Sequence, residues 1–163
     1  MAASAFSQSI KVASHALSTS IPQLGGLEGA VQTWKAGAPL VMAAGLLVEA
    51  TDAADLAGVW GFASDPATGV TNTPTSYIPN IAGILFEGIL SAAGTAIALT
   101  QAMIGLSYAV SKDVTTGFWY VDQADVTSPE VVVVDYKKPQ FAIGALDAVV
   151  FFYYKAAESA IAA

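Results

Sequence analysis

Two uninterrupted apolar runs, residues 131–134 (VVVV) and 148–154 (AVVFFYY), constrain this chain more than any other feature. Both are strand-length and rich in β-branched or aromatic residues, and neither is long enough to read as a buried helix. Runs of this kind belong to strands covered on both faces. The second is too bulky for one small sheet to hide on both sides. Its outer face is therefore expected to meet another subunit.

The rest of the chain carries shorter signals of the same type. Residues 31–34 alternate, and a turn at 35–39 leads into Leu40-Val41-Met42. Leu46-Leu47-Val48-Glu49-Ala50 follows Gly45, which predicts two short strands joined by a small loop. Residues 57–63, with Val59, Trp60 and Phe62, predict a third strand. Pro66, Gly69, Asn72, Pro74 and Pro79 mark 65–79 as a long surface loop. Residues 81–90 predict a strand in which Gly83 and Gly88 allow a bulge or a close approach. In 116–121, Phe118 and Tyr120 share one face, Trp119 and Val121 the other. Ile97, Leu99, Met103 and Ile104 recur at helical spacing, which predicts one short helix over 96–104 capped by Gly105. The resulting fold class is mainly β: a small barrel, one short helix and an extended N-terminal arm. A rival reading makes the alanine-rich stretches 42–57 and 88–112 helical. Residues 1–30, small, polar and broken by glycines, form the arm; 31–155 form the β-rich domain; 156–163 are an alanine-rich tail.

Charge narrows the function. Only 12% of the residues are charged, 13 acidic against 6 basic, and every basic residue is lysine. A net charge of −7 without arginine argues against nucleic-acid binding and removes the bidentate clamp for phosphate. Without cysteine there are no disulfides, thiolate metal sites or thiol chemistry. Such scarcity of charge fits either a membrane or extensive contact with other protein. The longest uncharged run, 88–111, is 24 residues long, but Ser91, Gly94, Thr95, Thr100, Gln101, Gly105 and Ser107 interrupt it, so no membrane span is expected. The N-terminus lacks the basic and apolar regions of a secretory signal.

No residue pattern carries catalysis. His15, the single histidine, lies in the arm without an acidic neighbour. Asp122 and Asp125, like Asp52 and Asp55, read as turn caps, because the alternating oxygen ligands of a calcium loop are missing. Phosphate-binding glycine motifs, a G-x-S-x-G elbow and glycosylation sequons at Asn72 and Asn80 are all absent. Trp34, Trp60 and Trp119 are expected to pack rather than to form a sugar platform. Lys137-Lys138-Pro139 reads as a solvated turn. Neither a catalytic residue nor a metal or cofactor site is expected.

The order of several segments, TWKAGAPLV, GLLVEA, DLAGVWGFA, ILFEGIL, GFWYVDQADVTSPEVVVVDY and GALDAVVFFYYKA, resembles the small head decoration (cement) proteins of tailed bacteriophages. The resemblance spans roughly residues 31–154; the longer arm, the breaker-rich loop and the alanine-rich tail depart from it. It implies a virion structural protein of β-barrel or β-tulip type. Such a protein associates as a homotrimer on the outer surface of the expanded capsid, bridges major capsid protein subunits and resists internal DNA pressure. On that reading Phe6, Ile10 and Ile21 of the arm meet the shell. Val149, Phe151 and Tyr153 form the oligomer interface, or the opposite parity Val150, Phe152 and Tyr154 does; periodicity leaves the choice open. The alternative is a carbohydrate- or receptor-binding surface module built on Trp60, Trp119 and the 65–79 loop.

Overall fold

The computed structural model describes residues 10–15, 20–52, 58–81, 83–127, 129–138 and 140–155. Twelve strands and a single 3-10 turn account for the regular structure of these residues. The first six strands are β1 (Lys11–His15), β2 (Leu24–Leu27), β3 (Pro39–Ala43), β4 (Leu46–Glu49), β5 (Gly61–Ala63) and β6 (Pro74–Pro79). The second six are β7 (Ile84–Ala92), β8 (Thr95–Ala96), β9 (Ser107–Lys112), β10 (Trp119–Asp122), β11 (Val131–Tyr136) and β12 (Val149–Tyr154).

Strands β7, β10, β9, β11 and β12 close into a five-stranded barrel, because β7 pairs with both β10 and β12. The barrel is mixed: β10 runs parallel to β7, with Val121 opposite Leu90, and the other pairings are antiparallel. At nine residues, β7 is long enough to serve two neighbours in succession on one side. On that side its first half takes β1 and its second half takes β10, while β8 pairs with Ser91 and Ala92 on the opposite side, beyond β12. The other five strands form an antiparallel sheet in the order β2-β6-β5-β3-β4. A parallel bridge between Glu28 and Leu47 ties its two outer strands together.

Turn chemistry explains the tightest connections. Ala43 faces Leu46 across a two-residue turn in which Ala44 and Gly45 both have positive φ, 50° and 81°. Ala93 and Gly94, at 47° and 74°, repeat this between β7 and β8. Positive φ at both central positions is the hairpin geometry that matches the natural twist of paired strands.

The two sheets share one core. Phe62 of β5 meets Phe86 of β7 at 4.4 Å between ring centroids and Tyr154 of β12 at 5.5 Å. Trp34, Leu40 and Leu47 on one side and Trp119, Val121, Val150 and Phe152 on the other are essentially inaccessible. Each such side chain stabilises the fold by about 1.5–3 kcal/mol through burial.

Three expectations change here, the first being that the strand over 57–63 contracts to Gly61–Ala63 and leaves Val59 and Trp60 outside it. The 65–79 loop ends at residue 73, and Pro74–Pro79 is an interior strand of the five-stranded sheet. Its prolines occupy the two ends of the strand, where a missing N–H is tolerated, and Thr75-Ser76-Tyr77-Ile78 between them pairs normally. The helix over 96–104 does not form: Ala96 ends β8, and only Gln101–Met103 makes a 3-10 turn. The backbone of Leu99 is committed elsewhere, its N–H donating to the Ala145 carbonyl and its carbonyl accepting from Gly144. A nine-residue helix nucleates poorly in isolation, so these tertiary partners prevail. Gly105 does end the segment, at φ +88°. No helix among the described residues is long and apolar enough to cross a membrane.

Candidate functional site

Strand β12 alternates strictly, and the barrel decides what each parity does. Val150 and Phe152 are fully buried in the interior, and Tyr154 packs on the core beside them. Val149, Phe151 and Tyr153 turn outward. Val149 is nonetheless buried, in a small satellite cluster with Ile89 and Tyr120 on which Phe118 and Phe141 pack. Phe151 and Tyr153 are only half covered.

Neighbouring strands extend this outer face. Tyr153 lies opposite Val132, and Phe152 lies opposite Phe86, so Leu85, one residue earlier, joins the same outward row. All three are half-buried. Val134, 39% exposed, projects where β11 shifts register between Val133 and Asp135. The next row holds charge. Glu87, opposite Phe151, is buried and receives Lys11 at 3.2 Å and Lys137 at 3.0 Å. The barrel therefore presents an apolar row, Leu85, Tyr153 and Val132, bordered by a carboxylate held between two ammonium groups.

The arm residues separate. Ile10 is 1% exposed and belongs to the core, so it is unavailable as a surface contact. It sits over Gly88, where a Cβ would come within 3.3 Å of both Ile10 and Phe152. Ile21 is exposed at 39%, and Phe6 lies outside the described residues. Residues 11–15 and 24–27 are strands on the edges of the two sheets rather than free chain.

Other singled-out residues have structural roles. His15 ends β1 opposite Ile84. Trp34 is buried and its indole N–H donates to the Asp65 carbonyl at 3.0 Å; Trp119 is buried and donates to Glu49 at 2.9 Å. Neither offers a sugar platform, and only Trp60 is half exposed. Asp122 caps two turns by accepting from the N–H groups of Ala93 and Ala124, and Asp125 accepts from Thr127. Desolvation, with the charges of Asp122, Asp52 and Asp113 nearby, pushes the Tyr120 phenol well up. Among the described residues no three acidic or histidine side chains converge as a metal site would need. Lys137 makes the ion pair with Glu87 rather than a solvated turn, while Lys138 pairs with Asp135 at the surface. Asp55 and Pro139 lie outside the described residues, as does 156–163.

The residues that sequence reasoning missed are glutamates. Glu28 is fully buried and accepts from the N–H of Thr68, the N–H of Gly69 and the Thr68 hydroxyl, at 2.7–2.9 Å. Burial pushes its pKa up, but these bonds outweigh burial and hold it below the usual value. Glu49 bridges the two sheets by accepting from Lys112 of β9 at 2.7 Å and from the Trp119 indole. Glu130 is fully buried and accepts from the Val110 N–H at 2.9 Å. For Glu49 the available signal was a lone carboxylate at the end of an apolar strand, LLVE; Glu28 and Glu130 lie just outside strands and carry no such signal. In comparisons with known proteins, no family model matches the chain, and neither does any curated protein or solved structure.

Proposed function

We propose that this protein is a virion structural protein of the decoration type, with a mechanical rather than a catalytic role. It acts on the outer surface of an expanded icosahedral capsid, bridging major capsid protein subunits and associating with itself as a homotrimer. The observation that carries this reading is the apolar row Leu85, Tyr153 and Val132, with Phe151 beside it, on the outside of a closed barrel. An apolar centre with charged groups at its edge is the anatomy of a protein–protein interface. The scarcity of charge over the whole chain supports extensive contact in the same way. The segment resemblance supplies the kind of assembly.

The mechanism is linkage. A protein that binds the expanded lattice but not the unexpanded one stabilises the former by mass action. A trimer engaging several capsid subunits at once gains avidity, so modest contacts add up to tight retention. Ile21 and Phe6 provide contacts from the N-terminal region, and Phe151 and Tyr153 provide the contact between copies.

The test is co-sedimentation of the purified chain with undecorated expanded capsids and with procapsids. Saturation at a lattice-compatible ratio on expanded capsids alone is the expected result. Failure to bind either shell, or a monomer at all concentrations, overturns the proposal.

A further inference from the structure

A cavity of about 720 Å³ opens between the five-stranded sheet and the N-terminal strand. Ile10, Val12, Phe62, Ala63, Ile78 and Phe118 supply apolar wall. Its volume lies in the range of small-molecule sites, which are mostly apolar with a few placed polar groups. Its polar lining is Gln23, Ser64 and two ammonium groups, Lys11, which is paired with Glu87 at 3.2 Å, and Lys35. The Lys35 ammonium stands 4.2 Å from the centroid of the Phe118 ring, at the mouth of the cavity. Lys11, Lys112, Lys137 and Lys138 all form ion pairs with carboxylates. Lys35 and Lys155 form none among the described residues, and of these two only Lys35 lines the cavity. In a chain of net charge −7, an ammonium left without a carboxylate beside an apolar cavity stands out chemically.

Geometry favours this placement. Lys35 lies in the turn before β3, where the Ala38 N–H donates to the Lys35 carbonyl at 3.0 Å and the Gly37 N–H donates to Ala63 at 2.7 Å. The turn is thereby fastened to β5, whose Phe62 and Ala63 form the cavity wall. A Cβ at Gly117 would stand 3.6 Å from Lys35 Cε, so the lysine stem runs past the bare backbone of Gly117 on its way to the Phe118 ring. The aromatic face holds the ammonium without neutralising it.

We infer that this cavity binds an amphipathic monoanion, a carboxylate with a hydrocarbon tail. The carboxylate pairs with Lys35, and the tail lies against Phe62, Ile78 and Val12. Opposite charge at the mouth selects the head group, and apolar walls select the tail. This inference is independent of the capsid reading, and neither stands or falls with the other.

The experiment is calorimetric titration of the full chain with decanoate, alongside decanol, decyltrimethylammonium and acetate as probes. Saturable one-to-one binding of decanoate is expected, with decanol at least roughly tenfold weaker, in line with loss of one charge-assisted hydrogen bond. Decyltrimethylammonium and acetate should not bind measurably. Lys35→Gln should weaken decanoate by a similar factor while leaving the thermal midpoint unchanged, since the side chain is exposed. Ala63→Leu, which fills the cavity, should abolish binding; if that variant fails to fold, Lys35→Glu provides the second test through the same surface position. Equal binding of decanol and decanoate, an unaffected Lys35→Gln, or no saturation at all overturns the proposal. So does preferential binding of an acidic, leucine-containing peptide, which would make the cavity a protein-docking slot.

Discussion

Single residues here are decided by what their carboxylates and missing methyl groups touch. Glu28 anchors the 65–73 loop through three donors, so Glu28→Ala strands two backbone N–H groups and is expected to cost about 1–3 kcal/mol, read by denaturant unfolding. Its pKa is held below the usual value, so the sign of the pH dependence follows. Its contribution is fully present above the unfolded-state pKa and is lost as pH falls through the lower folded-state value. Glu28→Gln should flatten that acid limb of the stability curve; an unchanged limb would show that other carboxylates dominate it. Gly61 is a steric case: a Cβ there collides with the Ile78 carbonyl and the Tyr77 ring. Gly61→Ala is expected to destabilise by about 3 kcal/mol or more, because backbone rather than a flexible side chain must move. None of this was legible beforehand, since an isolated glutamate or glycine in the sequence names no partner.

Among the elements, the hairpins and β1 are the informative ones. Ala44 and Ala93 hold left-handed backbone in two-residue turns that asparagine adopts more readily. Ala44→Asn should therefore stabilise by about 0.5–1 kcal/mol, visible as a raised thermal midpoint. Gly45 signalled the first turn in the sequence; its hand came only from the strand pairing. Strand β1 is latched by Glu87, which receives Lys11 from β1 and Lys137 from the segment before β12. Both lysines are partly exposed and can hydrate if released, so Glu87→Gln is expected to cost only about 1–2 kcal/mol. Amides of residues 11–15 should exchange faster in that variant while those of β9 and β10 stay protected. The alternation of 116–121 survives in the fold: Trp119 and Val121 enter the main core, and Phe118 and Tyr120 join the satellite cluster. The helix over 96–104 failed because apolar spacing records which residues are buried and says nothing about which backbone partners compete for the chain.

At the scale of the whole molecule, the two sheets share one core, and its outer face carries the proposed contacts. Tyr153→Glu places a charge in the apolar row without touching the interior. It is expected to leave the thermal midpoint within about 0.5 kcal/mol of the parent in stability terms while shifting the protein to monomer in sedimentation velocity. Ile10→Ala should do the opposite, costing about 2–4 kcal/mol through a cavity beneath β1 and leaving the proposed association surface intact.

The sequence by itself determined that this chain is mainly β, that the runs 131–134 and 148–154 hold strands, and that the chain has no thiol or guanidinium group. Those conclusions rest on composition and local periodicity, which each residue carries with it. Tertiary structure alone decided that β7 closes the barrel by pairing with both β10 and β12, and that Phe152 points in while Phe151 points out. It also decided that Ile10 is core rather than surface, and that Lys35 stands over Phe118 at the mouth of a cavity. Period-two alternation is symmetric under exchange of the two faces of a strand. Only the closure of the sheet, by placing an inside on one side of it, breaks that symmetry.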